Sequence, residues 1–164
     1  MTRWSSRRRG ASLDEIERVY RLRFDEYVRV AGAIAGDAEA GRDAVQEAFA
    51  SAVRGRASFR GEGPLDAWLW RAVVNAAHNQ LRAASRAAAA AAENGNGHAK
   101  EDAELRVALA LLPERQRTAL FLRYFADLDY ASIASVLGIS EGTVGATLHA
   151  AHRALRRRYE EVRS

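Results

Sequence analysis

The sequence predicts an all-α protein built as two small helical domains joined by a flexible linker. Three observations carry this reading. Apolar residues recur at spacings of three and four along nearly the whole chain, and no convincing alternating strand pattern interrupts them. A glycine- and asparagine-rich stretch at residues 93–98 separates two such periodic blocks. The second block, LPERQRTALFLRYFADLDYASIASVLGISEGTVGATLHAAHRALRRR at 112–158, holds a short helix, a glycine turn and a longer helix ending in arginine. That arrangement is the helix-turn-helix, whose second helix enters the DNA major groove.

Taken in order, residues 1–11 form a basic N-terminal tail. Ser12 and Glu15 have capping-box spacing, so a helix starts at Leu13. Its stripe is Ile16, Val19, Tyr20, Phe24, Tyr27, Val28, Ala31 and Ile34. Gly36 and Asp37 break it, and a second helix runs from about Ala40 to Arg54 on Ala44, Val45, Ala48, Phe49, Ala52 and Val53. Residues 55–64, GRASFRGEGP, read as a loop, with Pro64 suited to the first turn of a third helix. That helix carries Leu65, Trp68, Leu69, Ala72, Val73, Ala76 and Leu81 on one stripe, and the alanines at 87–92 extend it. The first domain is thus 12–88, the linker 89–101 and the second domain 102–164.

In the second domain Leu105, Ala108, Leu109 and Leu112 open a periodic block, and Pro113 restarts a helix. Asp129 is placed to cap a short helix over 130–137. Gly138 supplies the left-handed residue that ends it, and Ser140 caps the last helix. On that last helix Val144, Leu148, Ala151 and Leu155 face inward. The opposite face carries Gly142, Ala146, His149, Ala150, Arg153 and Arg157, with Thr143, Gly145 and Thr147 to one flank. Direct base reading calls for Arg, Lys, Asn or Gln near the start of this helix, and here that part offers mainly Gly, Ala and Thr. Arg153, Arg156 and Arg157 stand further along, where they suit phosphates.

The net charge of +4 is modest, but its layout is clustered: Arg3, Arg7, Arg8 and Arg9 lie at one end, and Arg153, Arg156, Arg157 and Arg158 near the other. Such clusters suit a polyanion partner. For the N-terminal set, contact with a polyanion and a merely solvated tail stand as equal readings. The absence of cysteine excludes disulfides, thiolate metal sites and cysteine nucleophiles. No stretch approaches a membrane span and the N-terminal run is too polar for a signal peptide, so a soluble cytoplasmic protein is expected. His149 and His152 are three apart without a carboxylate to complete a metal set, and His152 leans toward the core side; a satisfied or solvated pair is expected. No phosphate-binding glycine loop or nucleophile motif is present, so neither catalysis nor a cofactor or small-molecule substrate is expected.

Beyond the helix-turn-helix block, DAVQEAFASAV at 43–53 and FRGEGPLDAWLWRAVVNAAHNQLR at 59–82 complete a resemblance to bacterial extracytoplasmic-function (ECF) sigma factors of the sigma-70 family. It covers nearly everything from Phe24 to Arg158 except the linker. The resemblance implies that 12–88 is sigma domain two and 102–164 sigma domain four. It further implies contact of Asp43, Gln46 and Glu47 with the clamp helices of the core RNA polymerase largest subunit. Capture of a melted base of the promoter −10 element falls to the loop Arg60, Gly61, Glu62 and Gly63. Trp70, Arg71, Asn75, Asn79 and Arg82 on the following helix are implied DNA contacts, with Trp68 left in the core.

For the −35 element the corresponding residues are Thr143, Ala146, Thr147, His149, Arg153, Arg156 and Arg157. Phe121, Tyr124 and Phe125 supply part of an apolar surface for the polymerase flap, and an anti-sigma partner is implied as well. Where the family often reads TVKSRLHRARRALRRR, this chain has TVGATLHAAHRALRRR. Two further readings stand beside this one. The first is a sigma-derived interaction protein that binds polymerase or a regulator without efficient promoter opening. The second, a stand-alone helix-turn-helix repressor, leaves DAVQEAF and FRGEG unexplained.

Overall fold

A computed structural model describes residues 10–90 and 100–164, with backbone alone for 89, 90 and 100–102. Seven α-helices make up the described residues: α1 (Leu13–Ala35), α2 (Ala38–Arg54), α3 (Leu65–Ala90), α4 (Lys100–Ala110), α5 (Glu114–Tyr124), α6 (Tyr130–Leu137) and α7 (Glu141–Arg163). A single 3-10 turn, Arg56–Ser58, follows α2. No strand occurs among the described residues. The N-terminal arginines and the 93–98 break lie outside them. The linker expected to run to 101 is shorter at its far end, because α4 already begins at Lys100.

The helix ends follow local chemistry. Ser12 and Glu15 form the capping box, with Glu15 N–H donating to Ser12 Oγ at 3.2 Å and Ser12 N–H to the Glu15 carboxylate at 2.9 Å. Asp37 caps α2 through the Ala40 N–H, which starts that helix at Ala38, two residues before the expected Ala40. Asp129 accepts from Ser132 N–H at 2.8 Å and Ser140 from Thr143 N–H at 3.1 Å. Such caps are each worth about 1 kcal/mol. Hydrogen bonding to Ser132 holds the Asp129 carboxyl below its ordinary value, so it remains an acceptor. Gly138, at φ 67°, ends α6 in the left-handed conformation, and α6 and α7 meet at 96°.

Two helical groups share one continuous core. In the first, α1, α2 and α3 pack mutually around an aromatic cluster. Tyr20 meets Phe49 edge-on at 4.8 Å, Phe49 meets Tyr27 at 5.2 Å, and Tyr27 lies 4.3 Å from Trp70. Such pairs add about 0.5–1.5 kcal/mol each beyond area burial. Tyr27 also donates its hydroxyl to Asp66 at 3.0 Å, fastening α1 to the first turn of α3. Burial, and then the Asp66 carboxylate, hold that phenol far above its ordinary value. In the second group α7 packs on α4, α5 and α6 through Val144, Leu148 and Ala151. Arg117 donates to the Ala110 carbonyl at 2.9 Å, satisfying an orphan acceptor at the end of α4.

The groups do not stand apart. α6 packs on α3, and α5 on α1.

Candidate nucleic-acid interface

The loop between the 3-10 turn and α3 is the natural starting point. Its residues Arg60, Gly61, Glu62 and Gly63 are all exposed, and Gly61 turns the chain at φ 66°, where a side chain would be strained. Beside it opens a cleft of about 470 Å³, walled by Phe59, Arg60, Pro64, Trp68, Arg71 and Ser135. Phe59 and Trp68 sit 5.5 Å apart at a tilt of 55°. Two aromatic rings and two guanidinium groups, with the Glu62 carboxylate also at the rim, give one open cleft both stacking surfaces and a net positive charge.

The structure corrects the assignment of the two tryptophans. Trp70, expected to face DNA, is fully buried against Tyr27. Trp68, placed on the core stripe, is half-buried at the cleft wall. Arg71, Asn75, Asn79 and Arg82 are all exposed on α3 as expected, while Val74 is core.

The far wall of the cleft belongs to α6. The Arg71 guanidinium donates to the Ser135 carbonyl at 2.7 Å, and Arg71 and Asn75 line a second gap that reaches Leu137 and Gly138. One turn along α3, His78 Nε2 and Thr118 Oγ1 share a hydrogen bond of 3.1 Å between two almost completely buried side chains. Glu114 lies 3.6 Å from His78 Nε2 and 3.9 Å from the Arg82 guanidinium. Burial pushes the His78 imidazole below its ordinary value, against the pull of Glu114 and with the push of Arg82 and Arg117. The side chains of α3 best suited to a nucleic acid are therefore partly engaged by the second helical group. Sequence reasoning missed Phe59, His78, Thr118 and Ser135. Only Phe59 carried a signal, as an aromatic just before the glycine loop.

On α7, Thr143, Ala146, His149, Arg153, Arg156 and Arg157 are exposed, with Thr147 half-buried on the same side. None of the three arginines makes an ion pair among the described residues; Arg158, by contrast, pairs with Glu161 at 3.1 Å. Gly145 faces Tyr130, whose Cε2 would lie 3.5 Å from an added Cβ. His152 does not lean into the core: it is exposed, and its Nε2 shares a 2.8 Å hydrogen bond with Tyr124 Oη.

Two further surfaces were expected. Asp43, Gln46 and Glu47 are exposed together along α2, and Gln80 donates to Glu47 at 3.5 Å. Gln46 borders an apolar groove between α1 and α2 lined by Leu13, Ile16, Tyr20 and Phe49. Of the aromatic trio on α5, Tyr124 and Phe125 are exposed, but Phe121 is buried and stacked beneath Phe125 at 5.5 Å. Phe121 thus lies under the exposed pair rather than on the surface beside it. No single helix of the described residues is long and apolar enough to cross a membrane, and no group of three or more potential metal ligands occurs among them.

Comparison with known proteins gives a match for each of the two regions of the chain. Residues 19–87 match the family model for sigma-70 region 2 and residues 102–156 that for sigma-70 region 4. The RNA polymerase sigma-H factor of Pseudomonas aeruginosa is 35% identical over 140 residues, covering 73% of this chain and 72% of that protein. The ECF RNA polymerase sigma factor SigM of Mycobacterium tuberculosis is 32% identical over 139 residues, 81% of this chain and 69% of its own. Among solved structures, the sigma factor RpoE of Bartonella quintana, crystallised with the anti-sigma factor NepR, superposes at TM-score 0.68 and 21% identity, covering 90% of this chain and 98% of that one. CnrH, solved with the cytosolic domain of CnrY, gives TM-score 0.70 at 20% identity, with 92% and 91% covered. These two likenesses establish the fold.

Proposed function

The chain belongs to the sigma-70 family as an ECF RNA polymerase sigma factor, and on that premise we propose how its surfaces divide the work of promoter-specific transcription initiation. Asp43, Gln46 and Glu47 on α2 engage the clamp helices of the core polymerase largest subunit, and Tyr124 and Phe125 dock on the flap of the second-largest subunit. The loop 60–63 and the Phe59–Trp68 cleft take up a melted non-template base of the −10 element. Extruding a base costs a few kcal/mol, which stacking and a shaped cleft offset. Arg71, Asn75, Asn79 and Arg82 hold the adjoining strand. The observation that carries this reading is the cleft itself: two aromatics and two arginines beside an exposed glycine loop, in the region that matches sigma-70 region 2.

Upstream, α7 binds weakly as a reader of bases. Its outward face offers threonine, alanine and His149, so Arg153, Arg156 and Arg157 hold phosphates, and promoter choice rests more heavily on the −10 side. An anti-sigma protein belongs to the same proposal, because members of the family are commonly held inactive by one.

One observation favours a second reading, a sigma-derived interaction protein that does not open promoters efficiently: Arg71 is hydrogen-bonded to α6 and the −10 face is partly closed. Reconstitution with core polymerase separates the two. Promoters bound and transcribed by the purified holoenzyme are mapped, and the mapping is repeated with R153A/R157A. Promoter-dependent transcripts that the double variant loses while still binding polymerase support the first reading; polymerase binding without transcripts across a genomic pool supports the second.

A further inference from the structure

The exposed end of α5 touches a side chain from another helix that the surfaces above do not use. The backbone there is fixed. Phe125 N–H donates to the Phe121 carbonyl at 2.9 Å, and Leu128 N–H to the Leu122 carbonyl at 3.1 Å. Arg123 holds the turn that follows, donating to the Asp127 carboxylate at 3.1 Å and to the Leu128 carbonyl at 3.3 Å. Phe125 rests on the buried Phe121 ring, with the two planes only 7° apart. Tyr124 is different: 61% of its surface is exposed. A side chain this open ordinarily changes rotamer freely, on the picosecond to nanosecond scale.

His152 on α7 restrains it. The Tyr124 hydroxyl and His152 Nε2 share a hydrogen bond of 2.8 Å, and the two rings meet edge to face with centroids 5.7 Å apart at 72°. The residues are 28 positions apart, so the contact joins two elements, α5 and α7, that pack on each other through their buried faces. His152 is itself exposed. A hydrogen bond between two exposed side chains adds little to the stability of a fold, because water replaces it at small cost. Its effect is on conformation: it selects one orientation of the Tyr124 ring and brings an α7 side chain alongside it.

We propose that His152 is a positioning residue for polymerase docking: it sets the Tyr124 ring in the orientation that meets the flap, so that the docking surface is built from two helices rather than from α5 alone. The proposal rests on the docking of Tyr124 and Phe125 on the flap put forward above, and deepens it by naming the residue that prepares the site. An aromatic side chain already held in one orientation has little freedom left to lose on association, whereas a free one must be ordered by its partner. Ordering one side chain corresponds to about 2- to 12-fold in affinity, which sets the size of the effect.

The test measures affinity of the full chain for intact core polymerase and for core polymerase whose flap tip is deleted. It compares the native chain with H152A, H152Q, Y124F and Y124F/H152A. Glutamine carries an amide that can accept from the phenol or donate to it, so it restores the hydrogen bond whichever way that bond runs. On intact core, H152A and Y124F are each expected to weaken binding by about 2- to 12-fold, and H152Q to stay near the native value. The double variant should lose no more than either single one, because both remove the same hydrogen bond. On core without the flap tip, all of the chains should bind alike. Native affinity of H152A for intact core overturns the proposal. So do losses that add in the double variant, a loss in H152Q as large as in H152A, or a loss that persists without the flap tip, which would make the bond a structural staple of the second helical group. A native chain that binds both forms of core equally overturns the flap-docking reading itself, and the positioning role with it.

Discussion

The junction between α3 and α5 sets up a sharp test of how the two helical groups are held together. His78 and Thr118 retain only 6% and 2% of their accessible surface, and their hydrogen bond is 3.1 Å long. His78 Nδ1 has no other protein partner, and the nearest oxygen of Glu114 lies 3.6 Å from Nε2, beyond hydrogen-bonding range. T118V keeps the branched shape and removes the hydroxyl, leaving the imidazole nitrogens buried and unsatisfied. That penalty is about 1–3 kcal/mol, and it falls on the closed arrangement, since the parted groups expose both side chains to water. The open-to-closed ratio should therefore rise by about 5- to 150-fold. Because the chain has no cysteine, a labelled pair at S51C and E160C reports the separation of the groups directly. Single-stranded −10 oligonucleotide should also bind the free T118V chain more tightly, because apparent affinity scales with the fraction already open. T118S, which restores a hydroxyl, should return both readings toward the native values. Unchanged label distances together with unchanged oligonucleotide affinity in a folded T118V chain would refute the reasoning.

Acidification should act at the same junction. Burial lowers the His78 pKa from its ordinary 6.5 in the closed form, with Glu114 opposing and Arg82 and Arg117 assisting; Arg71 and Arg115 border the same gap. The open form then binds the proton more tightly, so closure is at full strength above about pH 6.5 and weakens as pH falls below it. The S51C/E160C distance should follow that course, and H78Q should flatten it. G41A should destabilise the first helical group, because the new Cβ would stand 2.4 Å from Gly32 N and 2.5 Å from Gly32 Cα. Overpacking of this kind costs about 1–3 kcal/mol, or about 4–8 °C of melting temperature per kcal/mol in a domain of this size, read by thermal denaturation. Core polymerase affinity should fall with it, because α2 carries Asp43, Gln46 and Glu47. G145A should do the reverse: its Cβ meets only Tyr130 at an ordinary 3.5 Å, and alanine in a helix is favoured over glycine by up to about 1 kcal/mol. A melting temperature that stays level or drops in G145A would show that Tyr130 cannot accommodate the methyl group.

What the sequence made legible was local. Ser12, Asp129, Gly138 and Ser140 punctuate their helices where short-range rules put them, because a cap needs only a side chain and an N–H three residues away. The rotation of α3 was not legible. A stripe through Leu65, Trp68, Leu69, Ala72, Val73 and Ala76 is sound for a helix buried on one side. The observed buried face instead runs through Leu69, Trp70, Val73, Val74, Ala77 and His78, because α3 is covered by α1, α2 and α6. That stripe is offset by one residue, about 100°, which is enough to exchange the two tryptophans. Phe121 failed for a related reason: Thr118, Ala119, Leu120, Phe121 and Leu122 are all buried, because α5 meets α1 as well as α6 and α7. Contacts between the two groups join residues more than thirty positions apart and leave no periodic trace.

Those same contacts bear on how affinity is divided between the two ends of the promoter. In the closed arrangement Arg71 satisfies a Ser135 carbonyl and Arg82 lies near Glu114, so part of the proposed −10 face is already compensated before any DNA arrives. Binding DNA there must exchange these contacts for phosphate and base contacts, and only the difference counts toward affinity. The outward face of α7 carries no such debt, since Arg153, Arg156 and Arg157 are exposed without ion pairs among the described residues. It also has little with which to distinguish one sequence from another. On the proposed assignment of surfaces, the end best equipped to discriminate is the one held back by closure, and the end free to bind discriminates least. On the division of labour proposed above, separation of the two helical groups by polymerase would release selectivity and affinity together, and the α3–α5–α6 junction would govern specificity more than α7 does.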